Sequence, residues 1–192
     1  MMIRKMLTAT AVALLLTGCG GWTATRQLIA EEQRDSIGLS GDYQSSERFL
    51  RITLEGNNLY TITMQGIGSD GEPERVTAAF DFIRSDRSGD DQDGYSYDNF
   101  YLMEIPRTDD DGNVSYAYEI VRSSYTDQDR NPTFSQFEVI CSGATAQIAT
   151  GGENGCAFTD HAALRAAALD AMAWADEARM RIYEEQFFPR ES

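Results

Sequence analysis

Three cysteines, a single histidine and two runs of aspartate are the side chains in this 192-residue sequence whose types could carry chemistry. Cys141 and Cys156 stand fifteen apart, and the segment between them is glycine-rich around Gly151-Gly152 and poor in apolar residues. A disulfide closing such a loop is worth roughly 3 kcal/mol in the chain-entropy description. A metal site is the rival, but it lacks ligands, because His161 is the only imidazole and no second cysteine pair exists. The aspartates raise calcium: Asp86, Asp90, Asp91, Asp93 and Asp98 surround Gly89 and Gly94, and Asp109, Asp110 and Asp111 precede Gly112. An EF-hand loop needs oxygen ligands at positions 1, 3 and 5, glycine at 6 and glutamate at 12. Aligned on Gly94 the loop starts at Gly89 and ends at Phe100; aligned on Gly112 it starts at Arg107 and ends at Tyr118. Neither register fits, and aspartate before glycine is what tight turns use. An irregular calcium site at Asp90, Asp91 and Asp93 is all that survives, and no cofactor is expected.

Catalysis finds little to work with. The sequence holds no G-x-S-x-G, S-x-x-K or H-E-x-x-H motif and no phosphate-cradling glycine loop. His161 falls in the first turn of an expected helix, where packing or capping is the ordinary role. Carboxylates are so abundant that no glycosidase-like pair stands out. No catalytic residue is assigned, and the chain reads as a non-enzyme.

The amino end is more specific. Arg4 and Lys5 precede Leu7 and the apolar run 9–16, which is too short to span a bilayer and has the form of a secretory signal. The run ends in Leu16-Thr17-Gly18-Cys19, which resembles the lipobox of bacterial lipoproteins. The resemblance implies a diacylglycerol on the sulfur of Cys19, cleavage before that residue and acylation of the new amino end. Two or three chains hold a protein durably where one does so only marginally. Gly20 follows the cysteine, where aspartate would resemble an inner-membrane retention signal, so in a Gram-negative host the outer membrane is implied, with the domain facing the periplasm. An oxidising compartment favours the Cys141–Cys156 disulfide.

The formal net charge is −15, and loss of residues 1–18 leaves 14 basic against 31 acidic residues, near −17. Lys5 is the only lysine. A carboxylate field argues against a nucleic-acid partner, which needs clustered cations, and against a broad electrostatic dock on anionic lipid. The expected partners are the membrane, through lipid on Cys19, and an envelope protein.

The elements follow from periodicity. Residues 1–18 form the signal, 19–37 a lipidated tether with a short helix around Gln27 to Arg34, and 38–192 a single domain. Leu50, Ile52 and Leu54 alternate with polar residues, Gly56-Asn57-Asn58 turns, and Tyr60, Ile62 and Met64 alternate again, which predicts a hairpin. Val76 to Phe82, Phe100 to Ile105, Val114 to Ile120 and Phe137 to Cys141 continue the series at period two. From Thr159 or Asp160, a stripe of Leu164, Ala168, Ala171, Ala175, Ala178 and Ile182, flanked by Leu169, Met172, Met180 and Phe187, predicts a helix over about 160–188. Trp174 and Phe188 fall off that stripe. The fold class is α+β: an antiparallel β meander of six to seven strands, either a curved sheet or a partly closed barrel, with a long C-terminal α-helix packed on it.

Gly41-Asp42-Tyr43 opening the first strand, the up-and-down series, the late cysteine pair and the terminal helix together resemble lipocalin-like proteins. The tyrosine stands where that family's motif has tryptophan. The resemblance implies a carrier of a small apolar ligand, with Tyr60, Ile62, Phe80, Phe82, Tyr116 and Tyr118 lining the calyx. Three roles are therefore open: non-catalytic binding or scaffolding at the envelope, a lipocalin-like carrier, and an envelope hydrolase.

Overall fold

The computed structural model describes residues 21–90, 94–129, 132–139, 141, 150–152, 155–173 and 180–190. The signal and Cys19, together with Asp91, Asp93, Trp174, Ala175 and Ala178, lie outside them. Six strands follow one another as antiparallel neighbours: β2 (Gly41–Gln44), β3 (Arg48–Leu54), β4 (Leu59–Gly66), β5 (Glu74–Asp90), β6 (Gly94–Thr108) and β7 (Val114–Thr126). Local chemistry makes the turns. Asn57 and Asn58 carry φ of 57° and 54°, the left-handed pair that a tight hairpin requires and that asparagine tolerates. At the β6–β7 turn, Asp109 Oδ1 accepts the N–H groups of Asp111 at 3.0 Å and Asn113 at 2.8 Å.

β8 (Thr133–Val139) pairs with β7, and β11 (Met180–Pro189) pairs with both β8 and β2. The pairings thus return to β2 and form a ring of strands, but not a regular barrel. The β11–β2 seam is only two pairs long, Phe188 with Gln44 and Pro189 with Tyr43. β5 and β6 pair only from Ala79 and Glu104 onward, so Glu74 to Ala78 lie beside β4 alone and Ile105 to Thr108 beside β7 alone. Outside the ring, β1 (Gly21–Ala24) pairs antiparallel with β7 and parallel with β10 (Gly155–Ala157), which pairs with β9 (Thr150–Gly152).

Three expectations need correction. The sheet has eleven strands among the described residues, not six or seven. The helix, α1, spans His161–Ala173, and residues 180–189 are strand instead of its last turns. Ile182, Tyr183, Phe187 and Phe188 are good strand formers, and the free edges of β8 and β2 supply backbone partners that a helix would leave unmet. Residues 21–37 are no loose tether: Trp22 is 1% exposed, and Leu28, Ile29 and Ile37 are buried. The expected helix at Gln27 to Arg34 is one 3₁₀ turn, Glu31–Gln33.

Burial divides into two layers. Inside the ring lie Leu50, Ile52, Tyr60, Ile62, Phe80, Tyr101, Met103, Val121, Phe134 and Phe187. On the outer face of β5 to β8, Leu102, Tyr118, Ile120, Phe137 and Val139 meet α1 through Leu164, Ala167, Ala168, Ala171 and Met172, and meet the N-terminal strap through Trp22, Leu28 and Ile29. The alanine stripe allows α1 to approach the sheet closely. Leu169, expected to flank the buried stripe, is 44% exposed. Asp160 caps the helix by accepting the Ala163 N–H at 2.9 Å.

Candidate functional site

The alternation that makes a strand also sends every second side chain into the ring. At the end where β5 and β6 part, these side chains leave a cavity of about 210 Å³. Leu50, Ile62, Met64, Val76, Met103 and Phe134 form its apolar wall, and Arg48, Glu74, Arg107 and Gln136 its polar part. The volume is a little under the roughly 300–1,000 Å³ of pockets that hold drug-sized ligands, so it has room only for a small molecule. Most of the charge beside it is committed. Arg48 pairs with Glu185, whose Oε1 also accepts the Ser45 hydroxyl, and Gln136 donates to Glu119. Arg107 is half-buried and Glu74 exposed, both at the opening.

Of the side chains expected to line the interior, Tyr60, Ile62 and Phe80 do so and Phe82 packs against them. Tyr116 and Tyr118 do not: they belong to the outer layer, and Glu119, Val121 and Ser123 occupy the inward register of β7. Both faces of β7 are covered, so alternation there could not reveal which residues point in. Tyr118 instead donates its hydroxyl to Glu104 Oε2 at 2.7 Å. Burial first, and then this bond to a carboxylate, push its ionisation far above the ordinary value. The same Glu104 oxygen accepts the N–H groups of Leu28 at 2.8 Å and Ile29 at 3.0 Å, so a buried carboxylate fastens the strap to β6. Nothing in the sequence singled out Glu104, which sits in an otherwise apolar run.

His161 is a cross-link. Its Nε2 lies 3.0 Å from Asp81 Oδ2 and its Nδ1 2.9 Å from Gln33 Nε2. Because Gln33 Oε1 accepts the Ala30 N–H, the amide presents its NH2 to the ring. Nδ1 is then the acceptor and Nε2 carries the proton toward Asp81. Arg165 holds the same Asp81 oxygen at 2.7 Å. Both imidazole nitrogens are engaged, which suits a structural role better than general-base work.

Cys141 and Cys156 lie at disulfide distance, with Cα atoms 5.2 Å apart. Asp90 ends β5 and is exposed, while its expected calcium companions Asp91 and Asp93 fall outside the described residues. Among those described, no three carboxylates, histidines or cysteines are grouped to hold a metal. Asp109 acts as turn chemistry predicts, its carboxyl held below the ordinary range by the Asn113 side chain and nearby N–H groups. A second concavity, of about 410 Å³, is a groove beside Asp42, Phe49, Arg51 and Arg190. There Asp42 and Arg51 pair with each other at 2.7 Å, and Arg190 is exposed, its guanidinium over the Phe49 ring. No helix among the described residues is long and apolar enough to cross a membrane. Comparison with protein-family models, curated proteins and solved structures finds no match to this chain.

Proposed function

We propose that this protein is a lipid-anchored envelope lipoprotein whose domain binds a small, mostly apolar molecule inside the strand ring, without transforming it. The observation that carries the reading is the cavity: apolar side chains converge from five strands on a space of about 210 Å³ that opens where β5 and β6 part. In the outer layer, in contrast, Trp22, Leu164, Ala167 and Ala168 are almost wholly buried. Glu119 and Glu185, the buried interior carboxylates, are engaged by Gln136 and Arg48, which favours binding over acid-base chemistry.

Anchoring fits the strap. If Cys19 is acylated, only Gly20 separates it from Gly21 in β1, and two residues of chain reach at most about 7 Å. The domain would ride close against the bilayer, near any small amphiphile leaving it. In that oxidising setting the neighbouring Cys141 and Cys156 would be joined and would brace the outer layer.

Native mass spectrometry of protein extracted from its own membrane tests the reading. It should give a chain carrying acyl groups plus an additional, dissociable small molecule. Acylated chain alone, together with failure to take up any short apolar probe, would overturn it. Cys19→Ser should release the chain from the membrane fraction; unchanged fractionation with no acyl mass on the amino-terminal peptide would remove the anchoring half.

A further inference from the structure

We propose that the occupant of the cavity is an amphiphile with an anionic end, a carboxylate or phosphate, received by Arg107. This rests on the cavity being a binding site. Several of the described arginines are spoken for: Arg48 by Glu185, Arg51 by Asp42, Arg84 by Asp86, Arg165 by Asp81, and Arg26 by the Thr159 carbonyl. Arg107 lines the cavity, is half-buried and makes no hydrogen bond or ion pair among the described residues.

Its position is set by the backbone. β6 carries Ile105, Pro106, Arg107 and Thr108 past the last pairing with β5, so the arginine stands on one lip of the opening with Val76 and Glu74 on the other. Pro106 has no N–H to offer a strand, which disfavours a peptide adding to this edge. Glu74 is the one opposing charge among the lining residues that lacks a partner, but it is exposed and its field is screened by water. Arg107 is half-withdrawn from water beside Met103 and Ile105, where a guanidinium fork holds a carboxylate or phosphate through two hydrogen bonds. An apolar tail would then lie along Ile62, Met64 and Phe134. A hydrogen bond to a charged group accounts for about tenfold to hundredfold in affinity.

The test is calorimetric titration of the full chain bearing Cys19→Ser with octanoate, octyl phosphate, 1-octanol and inorganic phosphate. Octanoate or octyl phosphate should bind at least tenfold tighter than 1-octanol, and the preferred member of the two identifies the head group. Arg107→Gln should abolish that preference, while Arg107→Lys should keep part of it. The wild-type melting profile in both variants would show that the fold is intact. Equal affinity for 1-octanol and octanoate, or a preference that survives Arg107→Gln, would overturn the anionic end and leave the cavity reading standing. Inorganic phosphate binding as tightly as octyl phosphate would overturn it as well, since the chain would contribute nothing. No binding by any probe would remove both.

Discussion

The layer inside the ring and the layer outside it share β5 to β8, and in both a buried carboxylate ties distant segments together, yet the two are packed differently. Outside, each buried carboxylate ties together segments far apart in the chain: Glu104 holds Leu28 and Ile29 of the strap, and Asp81 holds His161 and Arg165 of α1. The space around them is packed, with Trp22 edge-on to Phe158 at a ring separation of 5.5 Å. Inside, Arg48 and Glu185 link β3 to β11 near the seam, and the same end of the layer is left open as a cavity. The outer layer is built to hold the chain together, and the inner one leaves room at the end where its strands part. Substitutions should separate the two.

The largest effect is expected from Trp22→Ala. Removing a fully buried indole should cost about 3–5 kcal/mol in cooperative unfolding by denaturant. A loss under about 0.5 kcal/mol, typical of surface positions, would return residues 21–37 to the status of a tether. Next comes Glu104→Leu, which leaves the Ile29 N–H group and the Tyr118 hydroxyl without their acceptor and the Leu28 N–H with the Tyr118 oxygen alone, and should cost about 3 kcal/mol. Faster hydrogen exchange at residues 28 and 29 should accompany it.

A smaller effect is one of pH. Below pH 10, tyrosine keeps its proton in both folded and unfolded chains, so the contribution of Tyr118 is whole. As pH rises past 10 the unfolded chain ionises while buried Tyr118 does not, and stability falls by about 1.4 kcal/mol per unit for this one group. Tyr43 and Tyr101, raised by burial, add to the same limb. Thermal melts between pH 9 and 11.5 should show the decline, and Tyr118→Phe should flatten it by one tyrosine's share. The smallest change in stability is expected where the inner layer is open: Val76→Phe should fall within about 1 kcal/mol of wild type, whereas Ala168→Phe, forced into the filled layer, should cost about 1–3. Equal penalties would erase the distinction between the layers.

Much of the local architecture was legible because it is written in local chemistry. The Gly56-Asn57-Asn58 turn, the Asp109 to Asn113 turn and the Asp160 cap each depend on residues within a few positions of one another. What escaped depends on distant partners. The segment 180–189 continues an apolar stripe at helical spacing, and only the free edges of β2 and β8 make it a strand. Trp22 and Ile29 follow the cysteine so closely that they resembled linker, yet their burial requires β7 and Phe158, nearly a hundred residues and more away. In β7 the period-two pattern was read correctly but assigned to the wrong face, because a strand covered on both sides has no solvent side to mark the register. Of the six side chains expected to line the interior, Ile62 alone lines the cavity. Arg107 carried no signal, since the lack of an ion pair among the described residues cannot be read from residue spacing.

The most direct test of the division between the layers is a methyl NMR titration of the full chain bearing Cys19→Ser with 1-octanol, a probe that needs no head-group contact. The account predicts saturable shifts at Leu50, Ile62, Met64, Val76, Met103 and Ile105 around the cavity, with Leu28, Ile29, Ile120 and Leu164 of the outer layer unmoved. Shifts centred on the outer set, or none at all, would contradict it.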